Sequence, residues 1–113
     1  MKIQSIRVEN VVPGHKILYD NSSAKLSASG YPSTISSYAN PKKTVGPDDT
    51  IYLVMDSKCI PYERYSSYYF KTIVLRSKTE PEGSYTSKGW GGDSDILVVD
   101  IDDEELALLK LQQ

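Results

Sequence analysis

Thr50-Ile51-Tyr52-Leu53-Val54-Met55-Asp56 and, further on, Tyr68-Tyr69-Phe70-Lys71-Thr72-Ile73-Val74-Leu75-Arg76-Ser77 are the two stretches on which the fold turns. The first is almost continuously apolar and rich in β-formers, the pattern of a central strand buried on both faces. In the second, Tyr69, Ile73 and Leu75 share one face with Lys71, while Tyr68, Phe70, Thr72 and Val74 share the other. Both faces carry apolar side chains, so part of this strand is expected to be covered twice, with Lys71 near an end or an open edge. Between the two, Ser57-Lys58-Cys59-Ile60-Pro61 reads as a turn.

Working outward, residues 2–12 alternate with period two: Gln4, Ile6, Val8 and Asn10 against Ile3, Ser5, Arg7 and Glu9. That is a half-buried strand. Pro13-Gly14 then suits a type II turn, because glycine accepts the positive φ at its second central position. Lys16-Ile17-Leu18-Tyr19 follows as a short strand. The run Val11 to Leu18 resembles the valine, then Pro-Gly, then Ile/Leu opening of many small β-barrel modules, which implies a closed sheet.

Residues 20–49 are rich in serine and poor in apolar side chains, and read as a long polar loop or arm. Short strands near Lys25–Ala28 and Ser33–Tyr38 would break it up, since so long a structureless loop is unusual in a compact domain. Residues 78–93 are turn-rich, ending in Lys88-Gly89-Trp90-Gly91-Gly92, a flexible loop that carries the single Trp. Asp95 to Asp102 is a last strand. Asp102 or Asp103 can cap a helix over 103–112, where Glu104 and Glu105 favour the positive end of the helix dipole. That helix is too short to hold alone, so its leucines must pack on the sheet or on another subunit.

These elements predict a mainly β protein: a small antiparallel barrel or strongly bent sheet of five to six strands with one short C-terminal helix. With 113 residues, the chain is expected to form a single domain over 1–113.

Composition narrows the chemistry. One Cys (Cys59) and one His (His15) exclude an internal disulfide framework and a Cys/His zinc site. Cys59, beside Ile60, reads as a small buried hydrophobe, and His15 as an exposed turn residue. No segment approaches a membrane span, and the alternating start lacks the apolar core of a secretory signal, so a cytoplasmic protein is expected. Asp93, Asp95, Asp100, Asp102 and Asp103 could offer oxygen ligands, yet their spacing is not that of a calcium loop. The glycines around Trp90 form neither a phosphate-binding loop nor a dinucleotide fingerprint. No catalytic residue, cofactor or metal is expected.

Contact material is plentiful by comparison. Nine tyrosines stand against one Phe, and Tyr62, Tyr65, Tyr68 and Tyr69 cluster near Arg64 and Lys71. Tyrosine brings a large contact area at little entropic cost, and Tyr, Trp and Arg are enriched in interface hot spots. Tyr62, Arg64, Tyr65, Tyr68 and Trp90 are therefore the expected partner-binding set. The net charge of -2 splits into +4 for residues 1–92 and -6 for residues 93–113, which marks Asp93, Asp95, Asp102 and Asp103 as an acidic surface.

The function these features favour is non-enzymatic binding of a protein partner through an aromatic and acidic surface. Small size, a long polar loop and an acidic end are common in viral or mobile-element accessory proteins, such as inhibitors of a host defence factor that work in the host cytoplasm. Two alternatives use the same side chains. One is binding or sequestration of a nucleotide, with Arg64, Lys88 and Lys42 on the phosphates. The other is a single-stranded nucleic-acid-binding barrel, against which stands a pI of about 5.3. Pairing of the terminal helix across a two-fold axis would make a homo-oligomer.

Overall fold

In a computed structural model the described residues are 1–19, 44–64 and 66–111. Six strands form one antiparallel sheet: β1 (Lys2–Arg7), β2 (Lys16–Tyr19), β3 (Thr50–Pro61), β4 (Ser66–Arg76), β5 (Tyr85–Gly91) and β6 (Asp95–Asp100), followed by one helix, α1 (Asp103–Leu111). The spatial order is β1-β6-β2-β3-β4-β5. The sheet is curled but open, so the bent-sheet form holds and the closed barrel does not. The strands proposed near Lys25–Ala28 and Ser33–Tyr38 lie outside the described residues.

The chain enters through the turn read from Pro13-Gly14. Gly14 has φ 98° and the His15 N–H donates to the Val12 carbonyl at 3.1 Å, the closing bond of such a turn. The strand expected over residues 2–12 stops at Arg7, and a short 3-10 turn over Val8–Asn10 folds Val8 and Val11 into the core.

Thr50 to Val54 is the central buried strand, but β3 does not end there. It continues through Asp56, Ser57 and Lys58 to Pro61, paired to β4 along its whole length. The turn expected at residues 57–61 is therefore extended strand. Its exposed polar residues hid it, because beyond Val54, among the described residues, β4 is the one strand in register with it. A register shift between Val54 and Asp56 leaves Met55 as the extra residue of a bulge. Residues 85–91, expected to be loop, form β5 in an unbroken register with β4. Glycines depress strand propensity, and here packing against β4 overrides it.

Two apolar layers result. On one face Val8, Val11, Ile17, Val54, Phe70, Ile96 and Val98 make a cluster, with Ile6, Tyr19, Tyr68 and Trp90 packed at its border. On the other, Leu18, Ile51, Leu97, Val99 and Ile101 pack with Leu106 and Leu109 of α1. The helix thus finds its apolar partner on its own sheet. Asp102 is the capping residue: its Oδ1 accepts the Glu105 N–H at 2.7 Å.

Buried Arg76 closes the far end of β4. Its Nη1 donates to the carbonyls of Gly46 at 2.8 Å and Asp49 at 3.2 Å, and its Nη2 to that of Pro47 at 3.3 Å. One side chain thereby ties down the turn that launches β3.

Candidate functional site

The β3–β4 hairpin and the end of β5 bring distant residues to one place. A cleft of about 560 Å³ is lined by Glu9, Arg64, Ser66, Tyr68, Gly91, Gly92 and Asp93. Glu9 comes from the turn after β1, Arg64 from the hairpin tip, Tyr68 from β4, and Asp93 from the tight turn into β6. Arg7 stands beside it, with Nη2 donating to the Gly92 carbonyl at 3.2 Å and Nε 3.9 Å from the Glu9 carboxylate. Gly92 is small for a reason: a Cβ there would stand 3.0 Å from the Ser66 carbonyl oxygen.

Of the residues expected to bind a partner, Arg64 and Tyr68 line this cleft together with Asp93 of the acidic set. Tyr62 is exposed on the same hairpin. Tyr65 lies outside the described residues. Trp90 is half-buried: opposite Tyr68 across the strand pair, it packs against Phe70 at 5.5 Å and Tyr19 at 6.0 Å between ring centroids. Much of its ring is spent on the core.

The acidic residues divide. Asp93 sits at the cleft, and Asp95 faces Arg7 in the β1–β6 register. Asp102 and Asp103 lie at the other end of β6, where the first caps α1 and the second stands in its first turn. Six residues of strand separate the pairs, roughly 20 Å at the usual rise, so the four do not form one patch.

Cys59 is exposed rather than buried. The sheet explains it: Cys59 is opposite Tyr68 on the part of β3 that, among the described residues, pairs with β4 alone. The neighbouring Cys59 thiol, more than burial, holds the Tyr68 phenol above the ordinary tyrosine value. His15 is half-buried, and its Nδ1 accepts the Val12 N–H at 3.2 Å. Among the described residues no three His, Cys, Asp or Glu side chains are gathered as metal ligands.

A second polar cluster went unnoticed in the sequence. Lys88 reaches back over two rings, with Nζ 5.0 Å from the centroid of Tyr19 and 4.8 Å from that of Tyr52. Tyr19 and Tyr52 meet edge to face at 4.9 Å, and the Tyr52 hydroxyl donates to the Glu80 carboxylate. Burial pushes both phenols up, and the negative charge of Glu80 adds to it. No local spacing announces a contact among residues 19, 52, 80 and 88.

No family model, curated protein or solved structure matches this chain. Among the described residues no helix is long and apolar enough to cross a membrane.

Proposed function

We propose that this chain is a non-enzymatic binding protein that recognises a protein partner at the cleft between the β3–β4 hairpin and the end of β5. The convergence of Arg64, Tyr68 and Asp93 on one concavity, with exposed Tyr62 two residues from Arg64 on the same hairpin, carries the proposal. A guanidinium, a phenol and carboxylates offer donors and acceptors to a polypeptide of mixed charge, and the aromatic rings offer contact area. The mechanism is occlusion of the partner's surface. In its sharper form the partner is a host defence factor and the protein a viral or mobile-element inhibitor, a form that draws on composition alone.

A nucleotide suits the cleft less well. Glu9 and Asp93 line it with Arg64, so it lacks the positive field that concentrates phosphate. The same balance disfavours nucleic acid, whose binders present a basic stripe.

The test is affinity capture from the native host with the wild-type chain and with a Tyr62→Ala/Arg64→Ala variant. Both positions are exposed, so the fold is expected to stay intact by circular dichroism. A partner held by the wild type and lost by the variant is the expected result. Equal capture by both would rule out the cleft.

A further inference from the structure

The strand that leads into the cleft is also an edge. Among the described residues, β5 pairs with β4 alone. The Val74 N–H donates to the Ser84 carbonyl at 2.9 Å, and the register continues through Thr72 with Thr86, Phe70 with Lys88 and Tyr68 with Trp90. Alternate residues of an antiparallel strand direct their backbone groups to opposite sides. Thr86, Lys88 and Trp90 therefore bond inward to β4, and the N–H and C=O groups of Tyr85, Ser87 and Gly89 point outward.

Proteins usually blunt such edges with bulges, prolines or protruding lysines. The outer half of β3, which among the described residues likewise pairs on one side alone, has all three: the bulge at Met55, Lys58, and Pro61 at its end. β1, the opposite edge, is short and carries Lys2 and Arg7. β5 has no register shift and no proline, and its one lysine is folded back over Tyr19 and Tyr52. Beside this edge runs a groove of about 440 Å³ lined by Lys71, Tyr85, Thr86 and Ser87. Among the described residues its lining carries one charge, the exposed ammonium of Lys71, directly across from Ser87. Asp56 stands opposite Lys71 on β3 and Lys58 lies in the adjoining hollow, so the balance on this face is positive.

We propose that β5 is a docking edge that takes an extended, acidic segment of a protein partner as an additional strand. The outward groups of Tyr85, Ser87 and Gly89 supply the backbone ladder. An Asp or Glu opposite Ser87 meets Lys71 in the groove. This rests on the protein-binding function proposed above and specifies the form of the partner: strand addition gives affinity through the main chain, and alternate side chains give selectivity.

Decapeptides selected from a displayed random library against the whole chain are the probe. Two variants separate the possibilities. Ser87→Pro removes an outward N–H while leaving every bond to β4 in place, a position where an edge strand tolerates proline. Lys71→Glu reverses the charge of the groove at an exposed site. Selected peptides are expected to carry an Asp or Glu within an alternating β-rich pattern and to bind each variant about tenfold more weakly. They should also slow amide exchange at Ser87 and Gly89. Equal binding to the wild type and both variants, or no selected peptide, would overturn the proposal. Slow exchange at Ser87 and Gly89 in the free chain, or self-association abolished by Ser87→Pro, would mean the edge is already covered, and would overturn it too. Peptides indifferent to these variants but lost with Tyr62→Ala/Arg64→Ala would leave the cleft standing without the edge. The reverse pattern would keep the edge and remove the cleft.

Discussion

The ring of Tyr69 closes over Gly89: a Cβ on Gly89 would stand 3.0 Å from both Cδ1 and Cε1 of Tyr69. The two residues are direct cross-strand partners on β4 and β5. An aromatic ring laid over a strand glycine restores the packing that the missing side chain forfeits. This contact helps explain how a glycine-interrupted segment persists as a strand.

A double-mutant cycle measures it. Tyr69→Ala is expected to cost about 0.5–1 kcal/mol, the scale of a good cross-strand pair. Gly89→Ala should be neutral to mildly destabilising in the wild type, where the ring must yield, and stabilising in the Tyr69→Ala background, where strand entropy alone counts. Urea denaturation of the four proteins gives the coupling. Strict additivity would mean that the ring contributes nothing to β5.

Arg76 should be among the least replaceable residues. Arg76→Met removes the guanidinium bonds to the carbonyls of Gly46, Asp49 and Pro47, of which Gly46 keeps the Asp49 N–H, and is expected to cost about 3 kcal/mol. Arg76→Lys should recover only part of this, because an ammonium lacks the planar fork that serves separate acceptors. Thermal unfolding of both variants checks the order.

Alkali should act through Tyr19 and Tyr52. Burial, reinforced by Glu80, raises both phenols above the ordinary tyrosine value. A folded-state pKa raised in this way gives stability that is fully present below about pH 10, the unfolded value, and is lost as pH rises beyond it. Tyrosinate absorbance should show Tyr19 and Tyr52 ionising only as the chain unfolds, the late-ionising signal falling by one tyrosine in Tyr19→Phe and in Tyr52→Phe. Tyr52→Phe should lower stability at neutral pH by about 1 kcal/mol, the worth of the bond to Glu80, and make the alkaline limb shallower.

The terminal helix should be held by its own sheet. Asp102→Ala is expected to cost about 1 kcal/mol, and Asp102→Ser little. Leu106→Ala and Leu109→Ala should each cost about 2–4 kcal/mol. Light scattering should show no change of mass for the leucine variants. A fall in mass would mean that the helix also joins two copies.

Cys59 should react in the native state. A thiol-specific disulfide reagent is expected to titrate it fully without denaturant, and Cys59→Ser should leave stability within about 0.5 kcal/mol. Reaction only in denaturant would contradict its position on the open half of β3.

The sequence by itself determined the elements whose signal is local. Thr50 to Val54 and Tyr68 to Arg76 were legible because buried strands must be apolar. Pro13-Gly14 and Asp102 were legible because a positive φ and an unpaired helix N–H each demand a particular residue type. The tertiary structure decided the rest. The polar outer half of β3 and the glycine-bearing β5 are strands only because β4 lies between them. Cys59 is exposed because, among the described residues, that half of β3 pairs with β4 alone. Arg64, Tyr68 and Asp93 meet Glu9 only once the strand order brings the turn after β1 to the end of β5. Local propensity acts over a few residues. Strand pairing and the convergence of a site join residues far apart in the chain, and only the folded sheet carries them.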